Sequence, residues 1–403
     1  MFNYHINCAD KLIKYIGLIV VVLLPLYGAA QDSVAVRVFW GRYNKSPKMV
    51  AVDTAFVRKQ QVLEQKTVRF IYDVDFDTYF DNREYRSSYT IPQTIFNFRL
   101  SPSVGVRLRD RVGGKHDLVA GVRYTQRLGG NWKDVQFDPT AYYRWRYKGF
   151  DLSMGAIPYE NRLRPLQDWL LYDSIAYMHP NIQGALLQYH DHRGYVSAMA
   201  DWRGAQTTER CEMFRVVIDG EFQWKGLMVG GLGHLNHTAG KANDASMAPY
   251  DDLHLSAHVG FNATEYVPLD SLSIQAAYIY GYERDRKNRV TYQTHGLLIE
   301  FYLNWWFIGV KNTFYYGDNM QPFRHDMGAL MYQGDPFYQS KIYDRVDLFL
   351  YLYRSSFVDF YFSYNFHFDD QKAFQEQQQL FVRFNLDGLM SRKEGNLRGL
   401  FDK

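Results

Sequence analysis

Arginine recurs at alternate positions in three successive stretches of the chain: Arg99, Arg107 and Arg109, then Arg123 and Arg127, then Arg144 and Arg146. Alternate positions of an extended strand share a face, and neighbouring strands lie about 4.8 Å apart, so these side chains would form one basic wall. A guanidinium presents a fork of donors that matches carboxylate or phosphate. The chemistry on offer is therefore capture and steering of anions. Asp73, Asp75 and Asp77 precede the wall at the same spacing, and Asp219 and Glu221 follow further along. A basic arc facing an acidic arc sets up a transverse field that orients polar solutes. The plainer reading is that such charges pair with their neighbours in water and contribute little. The stretch 158–180 adds Arg162, Arg164, Asp168 and Asp173, and the spacing of Leu163, Leu166, Trp169 and Leu170 predicts a short helix there.

Proton-transfer and metal chemistry is harder to place. His254 and His258 would share a face but stand about 13 Å apart along one strand, too far for one ion. His234 and His237 would point to opposite faces. His190 and His192 would share a face about 7 Å apart, which reads as a surface pair beside a turn. The chain has no Gly-x-Ser-x-Gly, His-Glu-x-x-His or phosphate-loop pattern. Two cysteines exclude a disulfide scaffold and a Cys-rich metal site. On these grounds no catalytic residue, metal or cofactor is expected, and the chain is read as a non-enzyme. A net charge of +3 gives no electrostatic case for nucleic acid.

The elements that must carry these side chains are strands. The 403 residues include Tyr 33, Phe 28 and Trp 8, yet charged residues are only 22% and the mean hydropathy is -0.38. From residue 66 apolar and polar residues alternate in runs separated by turn residues. Val358, Phe360, Phe362, Tyr364, Phe366 and Phe368 fall on one face, with Asp359, Tyr361, Ser363, Asn365 and His367 on the other. Sixteen such runs are expected between 66 and 387, with Pro102 forcing a bulge or break in the second. Connections after even runs are short, as at Lys148-Gly149 and Lys225, whereas 159–181, 237–250 and 318–341, after odd runs, are long. Ahead of the strands, Lys11 and Lys14 precede the apolar run Ile16–Leu24, and small residues close it at Ala30. That pattern describes a signal peptide over 1–30, followed by a periplasmic leader over 31–65 and, after the strands, a periplasmic tail over 388–403.

Residues 66–387 thus resemble a Gram-negative outer-membrane porin-type barrel. The resemblance implies an all-β, transmembrane, antiparallel up-and-down barrel of about 16 strands in the cell outer membrane. It implies a passive channel for small polar solutes, anionic ones included, lined by the basic wall and its acidic counterparts and narrowed by the loop bearing Arg162, Arg164, Asp168 and Asp173. The alternatives are a non-conducting barrel that anchors a partner and, third, a barrel hydrolase. The partners implied are outer-membrane lipid and small polar solutes, with a homo-oligomer or a periplasmic partner left open. Aromatics near strand ends, among them Tyr142, Tyr143, Trp145, Trp305, Trp306, Tyr315 and Tyr316, are read as headgroup-level belts. Phe349, Tyr351, Tyr353 and Phe381 would permit a lumenal sugar slide.

Overall fold

The computed structural model describes residues 68–243, 249–355, 357–371 and 374–385. The expected signal peptide, leader and C-terminal tail, with Leu386 and Asp387, lie outside these residues. The strands are β1 (Val68–Glu84), β2 (Gln93–Arg109), β3 (Lys115–Arg127), β4 (Gln136–Tyr147), β5 (Phe150–Pro158), β6 (Asn181–Asp191), β7 (Gly194–Gly204) and β8 (Met213–Trp224). They continue as β9 (Leu227–Thr238), β10 (Tyr250–Asn262), β11 (Ser271–Asp285), β12 (Val290–Trp305), β13 (Ile308–Gly317), β14 (Ile342–Arg354), β15 (Val358–Phe368) and β16 (Phe374–Asn385). Each pairs antiparallel with its sequence neighbours, and β1 pairs with β16, so the sheet closes. Closure satisfies every edge, the condition for strands to cross a bilayer.

The alternation decides which side faces in. On β15 Tyr361, Ser363, Asn365 and His367 are buried inside, while Phe360, Phe362, Tyr364 and Phe366 remain partly exposed on the outer wall. Across the barrel Asp77, Asp117, Arg215 and Asn365 are buried, whereas Phe70, Val104, Leu118 and Met154 are exposed. This inverts a soluble domain and suits a wall that faces lipid. The two-residue turns Lys148-Gly149 and Lys225-Gly226 hold positive φ at both positions, 44° and 84°, and 46° and 83°. That is the hairpin geometry whose twist matches the flanking strands.

Pro102 neither bulges nor breaks β2. Pairing with β1 runs through Val74↔Pro102. Pairing with β3 passes from Leu100↔Tyr124 to Ser103↔Gly121 in unchanged register, so the missing N–H interrupts one ladder only locally. The aromatics at strand ends divide by face. Tyr143, Trp305, Trp306 and Tyr316 are exposed, whereas Tyr142 and Tyr315 are buried inside. Phe349 and Tyr351 pack with Tyr302, Tyr361 and Phe381 in a lumenal cluster near the short-turn end.

Two long connections fold into the barrel. Residues 159–180 carry helix α1 (Asp173–Met178), and residues 318–341 carry helix α2 (Arg324–Met331), which kinks at Gly328. The helix expected from the spacing of Leu163, Leu166, Trp169 and Leu170 does not form there. Leu166 and Leu171 join one apolar cluster, while Trp169 and Leu170 join another, so these side chains do not share one helical face. The loops hold each other by backbone hydrogen bonds, Tyr172 N–H to Gln333 O (2.7 Å) and Asp335 N–H to Asp168 O (2.9 Å). A Cβ on Gly334 would lie 1.8 Å from Trp169 O, so this approach requires glycine. Together they form a plug.

Candidate active site

The expected wall residues are met by carboxylates. Arg99 donates to Asp77 (3.0 Å), and Arg107 and Arg146 both reach Asp117 (2.6 Å each). Arg123 pairs with Glu160 of the plug (2.8 Å), and the Arg144 Nε donates to Asp151 (2.9 Å). Arg109 is half-buried at the short-turn end of β2, and Arg127 is exposed at the opposite rim. Asp75 pairs with Arg383 (3.1 Å), and Asp73 accepts from Asn385 (3.2 Å). Strand neighbours supply most of these acids, so the side chains form a mosaic of pairs.

The loop residues and the later acids come together. Arg162 donates to Asp219 (2.6 Å), and Arg164 lies 3.6 Å from Glu221. Asp168 accepts from Lys311 of β13 (2.7 Å). On β14 the buried Arg345 bonds Asp347 (2.7 Å) and stands 4.0 Å from Asp168, 3.9 Å from Asp173 and 3.8 Å from Asp335. One guanidinium therefore ties both plug loops to the wall.

Asp335 makes this docking sensitive to pH. Burial, opposed by Arg345, pushes its carboxyl up to about 6, whereas an unfolded Asp titrates near about 3.9. The docked loop thus takes up a proton between those values. Docking is strongest below about pH 4 and loses roughly 3 kcal/mol as pH rises through 6. Hydrogen exchange in 318–341, corrected for intrinsic rates, is expected to be slower at about pH 5 than at about pH 8. Asp335→Asn is expected to remove the difference, and an unchanged pH response would contradict the assignment.

The chemically best-equipped spot lies beneath the plug. In the β9–β10 hairpin His234 sits directly opposite His254, a few residues inside the long-loop rim, with Asp252 alongside. The rings stack with centroids 5.8 Å apart, and Trp169 of the plug meets His254 edge-on at 5.4 Å. Asp252 Oδ1 lies 2.7 Å from His254 Nδ1, and Asp252 Oδ2 lies 3.9 Å from His234 Nδ1. Glu283 Oε1 on β11 lies 3.8 Å from His254 Nε2. Tyr332 of the plug donates its hydroxyl to the other Glu283 oxygen. Burial and the Glu283 carboxyl raise the Tyr332 hydroxyl well above its usual range.

All four strand residues are at most 5% exposed. His234 Nδ1, both His254 ring nitrogens, Asp252 Oδ1 and Glu283 Oε1 nevertheless complete no hydrogen bond. The 2.7 Å contact of His254 with Asp252 is close but misaligned. Beside the cluster a cavity of about 20 Å³, lined by Trp169, Arg203, Arg215, His234, Asp252 and His254, has room for one water. Histidines compared along single strands hide this site, because its partners face each other across two strands. The usable signal was the hairpin register. Closing the hairpin on the expected ends, 236 and 251, puts His234 within one residue of His254.

Among solved structures the chain is similar to Salmonella typhi OmpF in complex with daunomycin, at 9% identity and a TM-score of 0.49, covering 79% of this chain and 98% of that one. A triple mutant of Rhodopseudomonas blastica porin matches at 11% identity and a TM-score of 0.44, covering 79% and 100%. No curated protein sequence matches. A family model described as Lipid A 3'-O-deacylase-type matches residues 62–393. That match overturns two expectations, the passive solute channel and the absence of enzymatic activity. The channel rested on the likeness of a strand pattern, which fixes a barrel and leaves its chemistry open; the absence of activity rested on missing linear motifs, which a barrel that draws its groups from separate strands does not need. Because the match spans all sixteen strands and both plug loops, the chain belongs to the Lipid A 3'-O-deacylase-type family.

Proposed function

We propose that the protein is an outer-membrane hydrolase that cleaves the acyl ester at the 3' position of lipid A. The family match over residues 62–393 carries this reading. The outward-facing apolar wall agrees with it, since the substrate is itself a membrane lipid. Export through a signal peptide over 1–30 would set the long-loop end outward.

In this reading water is the nucleophile and His254 takes its proton. Asp252 stands by Nδ1 and stabilises the imidazolium formed, with the Glu283 carboxyl by Nε2. Arg203 and Arg215 line the same cavity and supply positive charge for the oxygen that becomes negative as water adds to the acyl carbon. The carbon–oxygen bond to the sugar then breaks, the sugar oxygen takes the proton, and a fatty acid leaves. The cluster lies under the plug, so the two loops must part for the ester to enter. Detergent-refolded protein mixed with lipid A vesicles is expected to release free fatty acid. No release by protein with an intact, heat-modifiable barrel would overturn the proposal.

A further inference from the structure

The polar atoms beneath the plug are arranged for something other than one another. His234, Asp252 and His254 each offer a ligand atom, and these atoms lie within 4.8 Å of one another. Around a tetrahedral ion with bonds of about 2.1 Å, ligand atoms stand about 3.4 Å apart. The observed separations from Asp252, 2.7 Å to His254 and 3.9 Å to His234, bracket that value. Buried nitrogen and oxygen atoms left without partners are costly, and five such atoms converge here. Without a proton or a cation between them, the His254 nitrogen lone pair and the Asp252 oxygen repel at 2.7 Å.

We propose that His234, Asp252 and His254 form a binding site for a divalent transition-metal ion of the zinc class. Two imidazoles and one carboxylate suit such an ion, whereas calcium and magnesium prefer sites made wholly of oxygen. Three protein ligands leave a coordination position open, and the adjoining cavity of about 20 Å³ provides room for a water there. Glu283 lies outside the triad, 3.8 Å from His254 Nε2. An ion bound here would activate the water in place of His254, whose imidazole would then act as its ligand. Tyr332 holds Glu283 from the plug side, which couples the site to loop docking. The assignment shares the location of the proposed hydrolytic site but stands on ligand geometry and burial alone.

The test uses full-length mature protein, refolded in detergent, stripped with a chelator and titrated with Zn²⁺ or Co²⁺. One equivalent is expected to bind, with Co²⁺ developing the visible absorption of a nitrogen- and oxygen-ligated centre. His234→Gln and Asp252→Asn are each expected to weaken binding by at least about tenfold, while heat-modifiable mobility confirms that the barrel is folded. Ca²⁺ in excess is expected not to displace Zn²⁺. Wild-type protein that binds well under one equivalent overturns the site, and so does binding that both folded variants retain. The wild-type titration decides alone if a variant misfolds. One equivalent bound without lipid A cleavage would leave the site standing and remove the hydrolase reading. Cleavage without binding would do the reverse.

Discussion

Exchange of His254 for glutamine is expected to slow acyl release from lipid A by roughly 10²–10⁴-fold, the usual weight of a lost proton-transfer group. Glutamine keeps much of the ring's bulk and one donor–acceptor pair, so packing against Trp169 at 5.4 Å is disturbed but not emptied. It cannot take a proton from water near neutral pH, nor stand between Asp252 and Glu283 as a cation. The matched control is His258→Gln. His258 lies further down the same strand and pairs with Glu221 at 3.2 Å, away from the cluster. It is expected to leave the rate near wild type. Initial rates of fatty-acid release, compared at equal amounts of folded barrel, check both variants. Equal losses in the two, or full activity in His254→Gln, would put the reacting site elsewhere.

Arg345→Met is expected to release the plug. The guanidinium is 1% exposed and faces Asp168 and Asp173 from the first loop, Asp335 from the second and Asp347 from its own strand. Methionine fills much of the volume but leaves these carboxylates short of their shared cation. Breaking a buried ion pair from one side costs about 3–5 kcal/mol. Lys311, 2.7 Å from Asp168, offsets part of that on one loop. Hydrogen exchange in both 159–180 and 318–341 is expected to quicken by roughly 10²–10⁴-fold, that free energy expressed as an opening equilibrium. Exchange in the strands should hold, because their hydrogen bonds close around the ring without the plug. Arg345→Lys should fall between, since an ammonium restores charge without the fork. Unchanged exchange in Arg345→Met would mean that apolar packing, as of Phe337 and Tyr338, docks the loops by itself.

The barrel was legible in the sequence because each strand has one wet and one apolar face. A period of two survives any tertiary context, and β15 shows it along its whole length. The alternation of short and long connections was legible for the same reason, since tight hairpins such as Lys148-Gly149 have their own residue preferences. The inward path of 159–180 was expected from its place between the fifth and sixth strands, where porin-type barrels fold a loop inward; its charges find Asp219, Arg123 and Arg345. The entry of 318–341 was not. Its inward anchors, Tyr332, Asp335, Phe337 and Tyr338, show no period, and a loop packed in a lumen needs none. The acids that pair the arginines, Asp117 and Asp151, sit on neighbouring strands and appear only with the register. The histidine cluster failed for that reason too. Its members lie on three strands and are joined by pairing across hairpins, a relation that spacing along one strand does not contain.

The most direct measurement is the mass of lipid A before and after incubation with the folded protein in water enriched in ¹⁸O. Hydrolysis at the 3' ester makes a product lighter by one ester-linked acyl unit, located on the 3' oxygen by fragmentation. It places the heavy oxygen in the freed fatty acid and none in the sugar. Unchanged lipid A, or loss of an acyl chain from a different position, would contradict it.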